Sequence, residues 1–151
     1  MVKTDLLKKQ VLLEDINSEA LNKISRIVKE MSFKKGEYLF REGDDTKGLY
    51  LTHSGKVEIS KVTADGWRQT LAVLIPGHFF GELSLLEKRK HVASAVAIED
   101  TELFLLPKGE FERLMAEDIE LACGIIKKIA IVMTKNLRRM NDKFLSALIS
   151  Y

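Results

Sequence analysis

Two short stretches in the middle of the chain combine residue types that bind small anions. The first is the segment 79–86, which reads Phe-Phe-Gly-Glu-Leu-Ser-Leu-Leu, and the second is the cationic run 88–91, Lys-Arg-Lys-His. Gly81 lets a backbone approach a ligand closely, and the N–H groups of a short turn or helix beginning at Glu82 can point at a phosphate. The Glu82 carboxylate can accept hydrogen bonds from sugar hydroxyls. The pattern therefore predicts a pocket for one small anion.

The same stretch resembles the phosphate-binding segment of the cyclic-nucleotide-binding domain family. In that family the pattern runs Phe-Gly-Glu-Leu-Ala-Leu, a short linker, and then Pro-Arg-Ala-Ala-Thr. Here Lys90 stands at the family's proline, and His91 stands at its phosphate-clamping arginine. The resemblance extends over residues 12–144, with a first hairpin at 35–44 and a strand pair at 49–59. The resemblance rests on several such motifs, which occur along this chain in the same order as in the family.

The resemblance implies a role for most residues of this stretch. It places Glu82 where the family's glutamate binds the ribose 2′-hydroxyl. It also places the backbone N–H groups of Gly81, Leu83 and Ser84 at the cyclic phosphate, where they do not depend on side-chain type. The full set of implied ligand-binding residues is Phe80, Gly81, Glu82, Leu83, Ser84, Arg89, Lys90, His91, Val92 and Asn141.

His91 is the main departure from the family pattern. Arginine offers a permanently charged planar fork to two phosphate oxygens, whereas a neutral imidazole offers one donor and a protonated imidazole lacks the fork. With about 1.5 to 3 kcal/mol for a charged hydrogen bond, the exchange should weaken binding roughly ten- to a hundred-fold. A small loop shift would bring Arg89 or Lys90 in as a substitute. The alternative is a solvated charged turn around an empty or narrowed pocket.

The expected base preference depends on two further positions. In the resembling proteins, the residue after the arginine tends to carry a hydroxyl when guanine is bound, and here that residue is Val92. Valine has no hydrogen bond to give, so cyclic AMP is favoured over cyclic GMP. The resemblance also places Met140 and Asn141 near the base. Asn141 can exchange hydrogen bonds with an adenine edge, whereas Met140 is better explained by packing.

The composition is that of a single globular domain. With 151 residues, 46% of them hydrophobic and 30% charged, the chain is long enough for one real core. No apolar run approaches the roughly 20 residues of a membrane-spanning helix, and the N-terminus lacks a signal-peptide pattern. The single cysteine, Cys123, cannot form an internal disulfide. We therefore expect a cytoplasmic protein without membrane partners.

The residue pattern divides the single domain, residues 1–151, into three parts. In the N-terminal helical part, about 12–32, Asn17 or Ser18 can cap a helix. The apolar stripe of that helix is formed by Leu21, Ile24, Ile27, Val28 and Met31.

The other two parts of the domain differ in the spacing of their apolar residues and glycines. From 33 to 106, short apolar runs broken by glycines are typical of an antiparallel barrel or jelly roll, and Asp65-Gly66 indicates a hairpin turn. From 107 to 149, a short helix and then a long one, about 118–148, are expected. The predicted fold is mainly β with flanking helices: an eight-stranded β-roll (double-stranded β-helix or jelly roll) and a long C-terminal dimerisation helix.

The long helix carries a heptad seam, which predicts a homodimer. A second apolar stripe through Leu121, Ile125 and Val132 should face the β-roll, so the seam remains for a partner helix. The alternative is a helix that packs only on its own domain. The seam residues are Ile126, Met133, Met140 and Ala147, interleaved with Ile129 or Ala130, Leu137 and Phe144.

The sequence predicts binding rather than catalysis. Ser84 has no nucleophile elbow around it, and the scattered histidines His53, His78 and His91 do not form a metal motif. We expect no enzyme activity, metal or cofactor. The expected function is a stand-alone sensor that binds cyclic AMP and signals to an unknown effector protein.

Nucleic acid is not expected as a direct partner. A net charge of +2 is small, and no helix-turn-helix pattern follows the long helix before Tyr151. Two alternatives stay open. One is a degenerate family member that acts as a dimerisation or interaction scaffold without nucleotide. The other is the sensor part of a transcription regulator that lacks its helix-turn-helix domain.

Overall fold

Within residues 1–149, which the computed structural model describes, two four-stranded antiparallel sheets pack together. One sheet has the strand order β1, β8, β3, β6, and the other has the order β2, β7, β4, β5. The eight-stranded β-roll expected from the sequence is confirmed. The strands are β1 (Lys29–Phe33), β2 (Tyr38–Phe40), β3 (Gly48–Ser54), β4 (Val57–Val62), β5 (Arg68–Leu74), β6 (Phe79–Phe80), β7 (Ser94–Ala97) and β8 (Thr101–Pro107).

Helices precede, interrupt and follow the roll. The helices are α1 (Thr4–Leu7), a 3-10 turn (Val11–Leu13), α2 (Ser18–Ile27), α3 (Glu82–Glu87), α4 (Lys108–Glu117) and α5 (Ile119–Ile149). Asn17 caps α2 as expected, since its side-chain oxygen accepts a hydrogen bond from the Ala20 N–H at 2.8 Å. The hairpin expected at Asp65-Gly66 joins β4 to β5.

The helical stripe expected to reach Met31 ends earlier. The last residue of α2 is Ile27, the backbone of Val28 is extended, and Met31 lies on β1. All five residues of β1 pair with β8, and Met31 packs into the roll. Strand pairing and the β-branched Ile27-Val28 pair override the helical spacing. The roll therefore begins at Lys29, slightly before the expected residue 33.

The core lies on both faces of the sheet that contains β3 and β8. Leu103 and Leu105 of β8 point into the roll together with Tyr50 of β3. The alternate residues Phe104 and Leu106 pack on the opposite face, against side chains of the helices. Because successive strand residues point to opposite faces, a sheet covered on both sides needs a continuous apolar run, and β8 has one.

The long helix α5 begins on the domain and ends away from it. Its buried residues are Leu121, Ala122, Ile125 and Ile129, and Val132 is half-buried beside them. The second stripe therefore faces the domain, as expected. The seam behaves differently along its length. Ile126 and Met133 are half-buried against their own domain, whereas Leu137, Met140 and Phe144 are 58%, 66% and 65% exposed.

No helix within residues 1–149 combines the length and the apolar character needed to cross a bilayer.

Candidate functional site

The predicted anion-binding segment forms a sharp turn between β6 and α3. Gly81 caps α3 in a left-handed conformation, with φ at 88°. A Cβ atom at this position would lie 3.2 Å from the carbonyl oxygen of Gly48 and 3.4 Å from the Tyr50 ring. Both the positive φ and the close approach therefore require glycine. The N–H groups of Leu83 and Ser84, in the first turn of α3, have no acceptor within the helix, so they can donate to an anion.

This turn forms one wall of a cleft of about 200 Å³. The β4–β5 hairpin, the segment after α3 and the middle of α5 form the other walls. The lining residues are Phe40, Ile59, Ala72, Leu74, Phe79, Phe80, Gly81, Glu82, Leu83, Ser84, His91, Val92, Ala93 and Asn136. The sequence-predicted segment 80–84 thus meets His91 and Val92 in space.

The imidazole of His91 is fixed in the cleft wall. His91 is only 4% exposed, and its ring stacks on Phe40 with ring centroids 3.5 Å apart and planes inclined by 7°. Its Nδ1 lies 3.1 Å from the hydroxyl oxygen of the buried Ser84. Its Nε2 is buried and has no hydrogen-bond partner among the described residues. Such an unpaired buried group costs stability unless a ligand or water satisfies it.

The backbone of His91 is held as firmly as its ring. Its N–H donates to the carbonyl of Asp44 at 2.9 Å, and its carbonyl accepts from the N–H of Gly43 at 2.8 Å. The Asp44 carboxylate accepts from the N–H of Arg41 at 2.8 Å, which closes this loop. Burial lowers the pKa of the His91 imidazole below its usual 6.5, and the Asp44 charge opposes that shift. His91 is therefore mainly neutral near pH 7.

Glu82 brings a carboxylate to the same cleft. Burial raises its pKa above the usual 4.5, and its own backbone N–H opposes that shift. No ion pair forms between Glu82 and another described residue. A half-buried carboxylate without a cationic partner can accept hydrogen bonds from the hydroxyls of a ligand.

The cationic run does not contribute further side chains to the cleft. Arg89 is exposed and forms a 2.8 Å ion pair with Glu87 at the end of α3. Lys90 is exposed as well, and neither residue lines the cleft. The expectation that Arg89 or Lys90 substitutes for the arginine is not met in this conformation. The reason is geometric, because Lys88 adopts a left-handed conformation at the end of α3 and the run turns towards solvent.

The asparagine in the cleft is Asn136 rather than Asn141. Asn136 is half-buried and lines the cleft, whereas Asn141 is exposed and lies five residues farther along α5, about 7.5 Å along the helix axis. The sequence contains a signal for Asn136, which lies four residues after Val132 and seven after Ile129. It is therefore the polar continuation of the buried stripe.

Metal binding has no visible basis in residues 1–149. Within that range, the side chains of histidine, cysteine, aspartate and glutamate form no group of three that could hold a metal ion.

Known proteins resemble this chain in sequence and in fold. The cyclic AMP receptor protein of Thermus thermophilus is 43% identical over 83 residues, which cover 55% of this chain and 38% of that protein. The anaerobic regulatory protein of Bacillus subtilis is 33% identical over 129 residues, covering 85% of this chain and 52% of that protein. The crystal structure of the Thermus thermophilus catabolite activator protein matches with a TM-score of 0.76 and 31% identity, covering 89% of this chain and 62% of that one.

The chain spans about half the length of the curated relatives it matches, between 38% and 60% of the first four. Residues 30–118 match the cyclic nucleotide-binding domain, and this segment includes all of the roll except Lys29, as well as the α3 turn and His91. The segment covers more than half of the 151 residues. The chain therefore belongs to the cyclic nucleotide-binding domain family.

Proposed function

We propose that this chain is a non-enzymatic cyclic-nucleotide sensor of the cytoplasm that binds cyclic AMP, forms a homodimer and signals to a partner protein. One observation carries the proposal: the α3 N–H groups, the Glu82 carboxylate and the paired Ser84 and His91 converge on one cleft. Each group matches one part of a cyclic nucleotide. The phosphate suits the N–H groups and His91, and the ribose hydroxyl suits Glu82.

The base should extend from this anion site towards α5. Asn136 offers both an amide donor and an acceptor, which is the combination that an adenine edge requires. The side chain of Val92, which also lines the cleft, offers no hydrogen bond to a guanine. These two residues support cyclic AMP as the preferred ligand over cyclic GMP.

Ligand binding would affect the partner protein through a change in the orientation of α5. Asn136 lies between the part of α5 that packs on the domain and the part beyond Leu137 that is exposed. A ligand that bridges Glu82, His91 and Asn136 would favour one orientation of α5 over another. The output is therefore a shift between helix orientations, whose size is set by the ligand's differential affinity for them.

The exposed half of α5 supports the homodimer. Leu137, Met140 and Phe144 form one apolar stripe, each more than half exposed. Large contiguous apolar surfaces on soluble domains mark interaction sites, and residues at this spacing suit a second copy of the same helix.

The narrowness of the cleft favours one alternative function. A volume of about 200 Å³ lies below the range of about 300 to 1,000 Å³ of typical small-molecule sites. His91 also fills its place with a neutral ring stacked on Phe40. A domain with such a pocket can serve as a dimerisation scaffold without nucleotide.

Calorimetric titration with cyclic AMP and with cyclic GMP distinguishes the two functions. The sensor should bind cyclic AMP measurably and more tightly than cyclic GMP. Absence of binding to either nucleotide, by a protein shown to be folded, would favour the scaffold.

A further inference from the structure

We propose that the cleft binds its cyclic phosphate together with one proton, which His91 takes up, so that pH regulates the affinity of the site. This inference rests on the proposed function, since it assigns a form of regulation to the same cleft. Its basis is the fixed geometry of His91, Ser84 and Phe40.

The position of the His91 ring leaves one ring nitrogen, Nε2, without a partner among the described residues. The stack on Phe40 fixes the plane of the ring. The 3.1 Å contact between Ser84 Oγ and His91 Nδ1 fixes the rotation of the ring within that plane. Backbone hydrogen bonds to Gly43 and Asp44 hold the residue on both sides. The remaining polar atom of the ring, Nε2, is buried and has no partner among the described residues, and His91 lines the cleft together with the residues of the α3 turn.

The number of donors that the pair can offer depends on its protonation. In one neutral tautomer, the Ser84 hydroxyl donates to Nδ1, and only the Nε2–H of His91 is left for a ligand. In the other, Nδ1–H donates to Ser84, and only the hydroxyl proton is left. A protonated ring donates to Ser84 from Nδ1, so both Nε2–H and the hydroxyl become available. Protonation thus adds one donor and one positive charge, giving a substitute for the two-donor fork of an arginine.

The charges around His91 determine when it takes up a proton. Asp44 faces it from the β2–β3 connection and favours the charged ring, whereas burial opposes it. Glu82 shares the cleft from α3, and Tyr50 lies behind Phe40 with a pKa raised to about 12, so it stays uncharged. The cations that precede His91 on its own loop, at 88–90, are exposed.

A bound phosphodiester would reverse this balance. It places a negative charge against the ring edge, which raises the pKa of His91 above its value in the free protein. Between the lower pKa of the free state and the higher pKa of the bound state, binding is coupled to proton uptake. Across that interval the dissociation constant for cyclic AMP should increase by up to about tenfold for each unit by which the pH is raised.

Two measurements on the full chain test this inference. Calorimetric titration with cyclic AMP between about pH 5.5 and 8, in two buffers of different ionisation enthalpy, gives the number of protons taken up. We expect uptake approaching one proton per ligand in the coupled interval, with affinity increasing as pH falls. Proton NMR of the histidine rings should show the His91 pKa rising when cyclic AMP saturates the protein. The His91 resonance is identified by its loss in His91→Gln.

Variants separate this inference from the proposed function. His91→Arg carries a permanent charge, so it should bind without proton uptake and with a flat pH profile. His78→Gln, which changes an exposed histidine, should keep the uptake. Cyclic AMP binding without proton uptake and without a change in the His91 pKa would overturn the inference alone. A wild-type protein that binds at no pH in the range would overturn the proposed function itself.

Discussion

The imidazole of His91 lies flat on the phenyl ring of Phe40, with ring centroids 3.5 Å apart and planes inclined by 7°. Phe40 also lies 5.5 Å from Tyr50 and 6.1 Å from Phe80, measured between centroids, so the histidine extends an aromatic cluster inside the roll. His91 is therefore part of the packed interior of the roll. The same side chain also lines the cleft that we propose as the nucleotide site.

We predict that His91 makes the stability of the fold depend on pH. Its pKa lies below 6.5 in the native state, so the unfolded chain binds more protons in the interval below 6.5. The contribution of His91 to the free energy of unfolding should be complete above pH 6.5, and it should decrease as the pH falls below 6.5. Denaturant unfolding between about pH 7.5 and 5.5 measures this slope.

His91→Gln should flatten the slope, and the exposed-site control His78→Gln should retain it. An unchanged slope in His91→Gln would contradict the assignment.

Glu82 should affect the stability in the opposite direction at lower pH. Burial raises the pKa of Glu82 above 4.5, so just above pH 4.5 the native state binds more protons than the unfolded chain. The contribution of Glu82 to the free energy of unfolding therefore increases as the pH falls through that interval.

We predict that Glu82→Ala weakens cyclic AMP binding roughly ten- to a hundred-fold, to the edge of detection. A charged hydrogen bond of about 1.5 to 3 kcal/mol to the ribose hydroxyl is lost. Calorimetry measures the loss. The matched control is Glu87→Ala on the same helix, which removes only the exposed ion pair with Arg89. If Glu82→Ala binds as tightly as Glu87→Ala, the ribose does not lie at Glu82.

We predict that the base contacts Asn136 and not Asn141. Asn136→Ala should reduce cyclic AMP affinity about fivefold or more, as expected for a neutral hydrogen bond of about 1 kcal/mol. Asn141→Ala, an equal change on the exposed part of the same helix, should leave it unchanged. The opposite result would mean that the base extends to the outer part of α5.

We predict that the exposed stripe of α5 forms the dimer contact. Phe144→Glu places a charge on a side chain that is 65% exposed in the single chain, so it should produce a folded monomer. Sedimentation equilibrium at high micromolar concentration measures the effect. Lys135→Glu, also exposed, is the control and should remain dimeric. A wild-type monomer at this concentration would contradict the prediction.

Local patterns were sufficient to predict much of the fold. The cap at Asn17, one of the two expected candidates, the Asp65-Gly66 hairpin and the start of α5 depend on neighbours along the chain, and the structure contains each of them. Met31 was assigned to a helix because its spacing is helical. Its pairing with β8 involves a strand more than 70 residues away, which a local pattern does not contain.

The site was predictable where one segment supplies it. Gly81, Glu82 and Ser84 meet because the turn and α3 follow each other in sequence. The stack of His91 on Phe40 joins distant segments and was not predicted. Asn136 was missed because the place where α5 crosses the cleft depends on how its buried stripe packs on the domain.

A side-by-side calorimetric titration of wild type and His91→Arg with cyclic AMP tests most directly whether the cleft is a nucleotide site. If the α3 turn and Glu82 shape an anion site beside His91, arginine adds the missing bidentate contact, and the affinity should rise about tenfold or more. We predict measurable binding by the wild type and this gain in His91→Arg. Two folded proteins that both fail to bind cyclic AMP would contradict it, because one side chain cannot reopen a pocket that the rest of the fold has closed.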